Sequence, residues 1–471
     1  MKRYEQLAEL LAHDIRSGKF PAGTRLPSVR TIVHQHEVSP STVFQAYYRL
    51  ENLGLVRARE RSGYFVTSTG IASLPEPETF SAPRLSQAVD ISRLVFSVLE
   101  ATQDRDILPL GSAFASPHLF PLRRLAKSLA ATARFIDPWE TVASLAPGHW
   151  PLRQQIALRY LALGMPQPPE QIVITNGAIE ALNLCLSAVA SPGDVVAIES
   201  PGFYAAAQTL ERLKMKALEI PVIPKRGIDL DALAQAIEQH PVKACWFMTN
   251  FQNPMGTTMS DSDKQALVLL LARHQIPLIE DDVYGELYFG TRQPLPAKAH
   301  DTDGLVMHCS SFSKSLAPGY RIGWVAPGRF GQKIEQLKLM TTLSASVPAQ
   351  VALADYLQNG GYDKHLRKLR YALETQQTLM YEAISRHFPA DVRVTRPAGG
   401  YFLWLEFSED IDTLALHQLA AEEGISITPG PVFSASRQYR NCIRLNYGIP
   451  WNDGCEAGMS LLGRLIDSLA S

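Results

Sequence analysis

Long apolar runs, paired cysteines, internal repeats and a strong excess of either charge are all missing from these 471 residues. No stretch of about 18 apolar residues exists, which excludes an ordinary membrane-spanning helix. The start Met1-Lys-Arg-Tyr-Glu-Gln leads into an amphipathic pattern rather than the apolar core of a secretion signal. The five cysteines (Cys185, Cys245, Cys309, Cys442, Cys455) are odd in number, far apart and free of C-x-x-C spacing. That argues against a disulfide framework and a zinc site, so no metal is expected and the expected compartment is cytoplasmic. A formal charge of -1 with 19% charged residues describes a globular chain without a global nucleic-acid signature, so any DNA binding must be local. The length leaves room for two or three domains with a large core.

The first segment carries a pattern of its own. Leu7, Leu10, Leu11 and Ile15 are placed on one helical face, and Ser17-Gly18 stops that helix before the turn Pro21-Ala-Gly23. Pro27-Ser28 opens a second helix with Val29, Ile32 and Val33. Val38-Ser39-Pro40-Ser41 separates it from a third, running from Ser41 to about Asn52 and burying Val43, Ala46, Tyr47 and Leu50. Two helices joined by a short turn, the second opening on small hydroxyl residues, make a helix-turn-helix pattern. Leu53 to Arg59 and Arg61 to Val66 then read as a two-stranded wing, with a turn near Arg61 to Gly63.

The strings G-K-F-P-A-G-T-R-L-P-S-V-R, V-S-P-S-T-V and G-Y-F-V make residues 1–68 resemble the GntR-type winged helix-turn-helix. That segment holds about ten Lys and Arg against six Asp and Glu, the local excess expected of a module that contacts phosphates. The resemblance implies that Arg30, Ser39, Ser41 and Thr42 touch backbone or bases, that Gln45 reaches a base edge and that Gly63 enters the minor groove. Pro40 and Phe44 stand where many relatives have arginine, so affinity for double-stranded DNA is expected to lean on Arg25, Arg57 and Arg61. A winged helix used only for protein contacts is the alternative. Residues 69–88, rich in Pro, Ser and Thr and without periodicity, read as an extended linker. At up to about 3.3 Å per residue, it could carry the module over a neighbouring subunit.

From residue 89 to 471, helical and strand-like stretches alternate, which predicts a mostly parallel sheet covered on both faces. Within it, Lys314 sits on a tight loop between the core stretches Leu305-Val-Met307 and Arg321-Ile-Gly-Trp-Val325. Most loop lysines are simply solvated. A buried or cationic setting, to which Arg321 would contribute, lowers an amine's pKa and makes it a nucleophile toward an aldehyde. Ser311 and Ser313, with Arg321, would also receive a phosphate dianion. Together these describe a lysine that carries pyridoxal phosphate.

The string S-x-S-K followed by R-I-G resembles the cofactor-lysine motif of the fold-type I, class I/II aminotransferases. That resemblance implies further motifs, and they follow in order. Gly148 with Leu152-Arg153 matches the opening G-x-x-x-L-R. Asn176-Gly177-Ala178-Ile179, between a strand and a helix, would offer backbone N–H groups to the phosphate. Phe203 would stack on the cofactor ring, with Tyr204 as runner-up. Asn253, in N-P-x-G, would donate to the ring's phenolic oxygen. In Glu280-Asp281-Asp282-Val-Tyr284, Asp281 would hold the ring nitrogen protonated and Tyr284 would contact the phenolic oxygen; Asp282 would be a solvated or helix-capping acid. Arg444, in N-x-x-R-L, would fork onto a substrate carboxylate. One departure stands out: Ala143 falls where aminotransferases commonly place a tyrosine that reaches the partner subunit's phosphate, and Trp139, His149 and Trp150, close by in the sequence, would reshape the pocket.

The whole chain resembles the MocR subfamily of GntR regulators, a winged helix-turn-helix fused to an aminotransferase-like domain with large and small subdomains. The resemblance implies a homodimeric, pyridoxal-phosphate-dependent transcriptional regulator responding to an amino acid or other amine. A working aminotransferase with an accessory DNA module is the rival reading.

Overall fold

The computed structural model describes residues 3–16, 19–20, 24–52, 55–59, 63–66, 74–77, 86–100 and 107–470. At the front, α1 (Arg3–Arg16), α2 (Val29–His36) and α3 (Pro40–Asn52) pack around Leu7, Leu11, Ile15, Ile32, Val43, Ala46, Tyr47 and Leu50. Ser28 caps α2 by accepting from the Thr31 amide at 3.2 Å, which satisfies one of the free donors at its first turn. Leu10 departs from expectation, being 48% exposed. Ala8 and Ala12 take the buried places because the stripe through Leu7, Leu11 and Ile15 continues on their side of the helix. Strands β1 (Val56–Arg59) and β2 (Gly63–Val66) form the antiparallel wing, with Val56 opposite Val66 and Arg59 opposite Gly63. The turn around Arg61 lies outside the described residues, as do Ser17-Gly18 and Pro21 to Gly23.

The 69–88 segment is held in part, where the sequence reads as a free linker. Leu74 is buried, and the Pro75 carbonyl accepts from the Val394 amide at 2.8 Å. Gln87–Ala88 is strand β3 at the edge of the main sheet. Its reach is therefore less than an unattached chain of that length would have.

The main sheet uses β3, β4 (Val173–Thr175), β5 (Val195–Ser200), β6 (Lys216–Ile223), β7 (Gly227–Ile228), β8 (Val242–Phe247), β9 (Leu278–Asp281), β10 (Val306–Ser311) and β11 (Gly323–Ala326). Its order is β3-β6-β5-β8-β9-β10-β11-β4, with β7 beside β6. The central run β6-β5-β8-β9-β10 is parallel, and β11 runs antiparallel to both of its neighbours. Every residue of β5, β9 and β10 is buried, as a sheet covered on both faces requires. Helices Ala178–Val189 and Tyr204–Arg212 pack on one face; Leu230–Gln239 and Asp261–Arg273 pack on the other. A smaller antiparallel sheet, β12 (Arg393–Val394), β13 (Phe402–Glu406), β15 (Cys442–Asn446) and β14 (Thr428–Pro429), makes the second layer system with the helices Tyr362–His387 and Asp453–Leu469. Among the described residues, no helix is long and apolar enough to cross a membrane.

Candidate functional site

Parallel strands end together, so the loops after β4, β5, β8, β9 and β10 converge at one edge of the sheet, the usual place for a ligand in such folds. There a cavity of about 310 Å³ is lined by Ala178, Ile179, Phe203, Asn253, Asp281, Tyr284, Ser311, Ser313, Lys314 and Arg321. Ten residues that the sequence marks one by one, up to 143 positions apart, thus share one cavity, while Gly177 and Arg444 are not among its walls.

Lys314 donates from Nζ to the Ala113 carbonyl at 2.7 Å and lies 3.9 Å from the centre of the Phe114 ring. Burial, then the neighbouring charge of Arg444, pull its amine down to about 7, with Arg321 adding to the effect and Asp281 opposing it. The sequence assigns Arg321 a part in that cationic setting, and Arg444 contributes more. Asp281, 1% exposed at the end of β9, has an Oδ1 without a hydrogen-bond partner. Burial and the adjacent Asp282 push its carboxyl up to about 7. An orphaned buried carboxylate oxygen at the cavity wall calls for a cationic N–H.

At the phosphate end, Arg321 donates from Nη1 to Ser313 Oγ at 3.2 Å. Gly177 begins the helix Ala178–Val189 with φ +81°, and a Cβ there would collide with the Arg321 guanidinium. The absent side chain leaves room for that guanidinium beside the open helix N-terminus, a cradle suited to a dianion. Asn253 Oδ1 accepts from Arg444 Nη1 at 3.0 Å, which turns the amide's donor end away from that contact. Phe203 and Tyr204 both reach the cavity, their rings 4.9 Å apart, with Tyr204 also 6.1 Å from Phe433. Tyr284 is buried edge-on against Tyr401 and Phe402.

Arg444, in the middle of β15, is only 1% exposed. Its Nη2 donates to the Gly111 carbonyl at 2.8 Å and to Thr428 Oγ1 at 3.2 Å, while Nε has no partner. Among the described residues no carboxylate pairs with it. Three features went unseen in the sequence. The strap Gly111–Ala115 supplies carbonyls to both Lys314 and Arg444. Asn446 Nδ2 fastens that strap at Ser112 O and Phe114 O, and Tyr401 fastens it at Ala113 O. No side-chain motif announces a backbone contact. One expectation fails. Asp282 is neither solvated nor a cap: it is 7% exposed and bonded to His308 and Asn250. Ala143, Trp139, His149 and Trp150 lie outside this subunit's own cavity; Ala143 and Trp139 are exposed, and the His149 amide donates to Gln350.

On the other module, Arg25, Arg30, Ser39, Ser41 and Gln45 are exposed, and Thr42 and Gly63 partly so. Ser39 Oγ caps α3 through the Thr42 amide at 3.2 Å and contacts the Ser41 hydroxyl at 2.8 Å. Phe44 and Tyr48 share the outer side of α3 with them, at 46% and 58% exposure. The side chain of Arg57, and all of Arg61, lie outside the described residues.

Residues 143–452 match the family model for aminotransferase class I and II, about two thirds of the chain. The chain belongs to that family. In front of it, residues 3–66 match the gntR family of bacterial regulatory proteins. The chain is 47% identical to the uncharacterized HTH-type transcriptional regulator YdcR of Escherichia coli, over 99% of both proteins. Among solved structures it resembles the multiple substrate aminotransferase of Thermococcus profundus, with a TM-score of 0.74 and 28% identity over 80% of this chain and 95% of that one. It also resembles LysN, the alpha-aminoadipate aminotransferase of Thermus thermophilus, with a TM-score of 0.72 and 27% identity over 81% and 99%. The aminotransferase domain therefore sits behind a GntR-type DNA-binding domain, in the MocR arrangement of a transcriptional regulator. The cofactor of class I/II aminotransferases is pyridoxal 5'-phosphate. The cavity fits it: Asp281 has an unpaired oxygen for the ring nitrogen, and the Gly177–Arg321 cradle suits the phosphate.

The adjacent acids separate cleanly by mutation. Asp281→Asn is expected to weaken cofactor binding by about 10-fold or more, the value of one charge-assisted hydrogen bond, while Asp282→Asn has the smaller effect. Titration of the purified apo proteins with pyridoxal phosphate checks this, and the reverse order would exchange the two roles.

Proposed function

We propose that this regulator binds double-stranded DNA through its N-terminal module as a cytoplasmic homodimer. We further propose that it responds to an amino acid held in the pyridoxal-phosphate-loaded site. The observation that carries the ligand reading is Arg444. It is a buried cation with an unpartnered Nε, placed beside the catalytic Lys314 and lacking a carboxylate of its own. A bidentate anion is what a guanidinium in that state lacks.

When bound, the cofactor supplies an aldehyde that exchanges amine partners and a ring that withdraws electrons. The rest is the work of this chain. Lys314 presents an amine close to neutrality, hence nucleophilic at physiological pH. Asp281 would hold the proton on the ring nitrogen. Asn253 and Tyr284 would contact the phenolic oxygen, and Phe203 would stack on the ring. Ser311, Ser313, Arg321 and the amides of Gly177, Ala178 and Ile179 would hold the phosphate. Arg444 orients the ligand by its carboxylate. A ligand switches DNA binding only by favouring one arrangement of the domains over another, so its differential affinity sets the size of the response.

DNA contacts are assigned to Arg25, Arg30, Ser39, Ser41, Thr42, Gln45 and Gly63, together with Arg57 and Arg61. Two weakly basic modules gain effective concentration when a dimer tethers them. Residues 1–68 alone are expected to bind an operator fragment at least 10-fold more weakly than the whole chain, and residues 89–471 not at all. Electrophoretic mobility shifts at fixed salt check both, and tight binding by the larger piece would sink the division of labour.

A further inference from the structure

Behind Asp281, on the far face of the sheet, lies a polar cluster that the cofactor site does not use. β9 and β10 run in register with Asp281 beside Cys309 and Glu280 beside His308. Alternation along a strand therefore turns Asp281 toward the cavity, and Glu280, Asp282 and His308 away from it. His308 and Asp282 are 4% and 7% exposed. His308 Nε2 donates to Asp282 Oδ2 at 3.1 Å, and Nδ1 meets the Tyr160 hydroxyl at 2.6 Å. Trp324 Nε1 donates to that same hydroxyl oxygen at 3.1 Å. On its other side, Asp282 Oδ1 accepts from Asn250 Nδ2 at 3.1 Å, and Asn250 Oδ1 accepts from the buried Lys264 at 2.6 Å.

Donors and acceptors in this chain match when the imidazole is neutral. Trp324 donates to Tyr160, Tyr160 donates to Nδ1, and Nε2 donates to Asp282. Protonation at Nδ1 costs the Tyr160 hydroxyl its acceptor and gives in exchange a full ion pair with Asp282. We propose that His308 and Asp282 form a proton buffer behind Asp281: in acid His308 takes up a proton from solvent, cancels the charge of Asp282, and so keeps Asp281 an anion. Both are positioning residues, since neither faces the cavity. The inference rests on the reading of Asp281 as the partner of the ring nitrogen.

The surrounding charges agree with that role. Burial lowers the proton affinity of His308, but its bond to Asp282 and the charges of Asp282 and Glu280 outweigh burial and raise it, with Lys298 opposing. Glu280 is itself engaged by Thr249 and by the amides of Ala297 and Lys298, and Lys298 pairs with Asp301 at 2.9 Å. Asp281 faces Lys314 and Tyr284 in the cavity and feels the buried Glu199. Asp282 is the strongest charge acting on it, and acts to protonate it. An uncompensated Asp282 would therefore discharge Asp281 as the pH falls.

Charge arithmetic gives the test. The full-length apo protein is titrated with pyridoxal phosphate between about pH 5.5 and 9, spanning the histidine range, and the acid-side loss of affinity is located. His308→Gln keeps an amide donor near Asp282 but cannot take a proton, so the acid limb is expected to move up by about one pH unit. Adding Asp282→Asn to it removes the uncompensated charge, and the double variant should return to the wild-type limb. A merely structural role predicts the opposite, with the double variant worse than the single one. Superimposed wild-type and His308→Gln profiles, or a double variant without rescue, would overturn the proposal. If Asp281→Asn leaves the acid limb in place, the reading of Asp281 fails instead, which keeps the two failures distinct. Should His308→Gln not fold, nitrogen-15 NMR of the wild-type histidines decides: His308 should be the Nε2–H tautomer in alkali and doubly protonated in acid, and an imidazole still neutral at the bottom of that range rejects the buffer.

Discussion

Lys314→Ala is expected to abolish the visible absorbance that the lysine-bound cofactor gives the purified protein, together with every amine-dependent change in it. Lys314 is the one lysine among the described residues that line the cavity, and its amine is held near 7 by burial and by Arg444. A substitute would need an amine at the cavity wall in the same desolvated setting. The phosphate cradle of Ser311, Ser313, Arg321 and the Gly177 turn is untouched by the substitution, so colour should be lost while cofactor is still bound without a covalent link. Phosphorus-31 NMR of the variant separates those two losses. Borohydride reduction followed by peptide mapping should locate the adduct at Lys314 in the wild type and nowhere in the variant. A stable adduct at a different lysine would refute the assignment.

Arg444→Ala should weaken amino acids while sparing cofactor binding. Removing a buried bidentate partner of a carboxylate costs on the order of 2 to 5 kcal/mol, some 30-fold or more in affinity, much of it from the ligand's charge left unpaired. Truncation also strips the Gly111 carbonyl and Asn253 of a donor, so a fall in affinity alone does not isolate the carboxylate contact. The decarboxylated analogue supplies the control, because it feels the second loss and not the first. Absorbance titrations of both proteins with an amino acid and its analogue give a ratio of ratios that should reach 30-fold or more. In DNA-binding assays the variant should keep its ligand-free affinity and lose its response to the amino acid. Equal amino-acid affinity in the two proteins would make Arg444 a structural residue.

Most of the fold was legible because its signals are local. Buried parallel strands appear as apolar runs such as Val195-Val-Ala-Ile198, and their ends are marked by the residues that do chemistry, so strand and motif locate each other. The choice of Asp281 over Asp282 follows from spacing to Tyr284, yet the fate of Asp282 did not. Its partner His308 is 26 positions away and is brought to it by the register of β9 and β10, while Tyr160, 148 positions from His308, comes from the helix Trp150–Ala162. Leu10 misled because three leucines and an isoleucine in one helix look like one stripe, while two alanines with less to bury occupy the inward arc. The wing arginines remain a reading of composition and resemblance.

The strap Gly111–Ala115 separates anchoring from identity. The Gly111 carbonyl accepts from Arg444, those of Ser112 and Phe114 from Asn446, and that of Ala113 from Tyr401 and Lys314, and a carbonyl is the same in every amino acid. Gly111 is constrained as a residue, since a Cβ there would come within 2.7 Å of the Ile427 backbone, and so are Ala115, which is buried, and Ser112, whose hydroxyl bonds Phe114. Positions 113 and 114 can therefore drift through evolution, or be randomised in a library, without loosening the segment that borders the cavity. Phe114, lying over the lysine at the cavity wall, is the natural place to begin altering which ligands the cavity would accept.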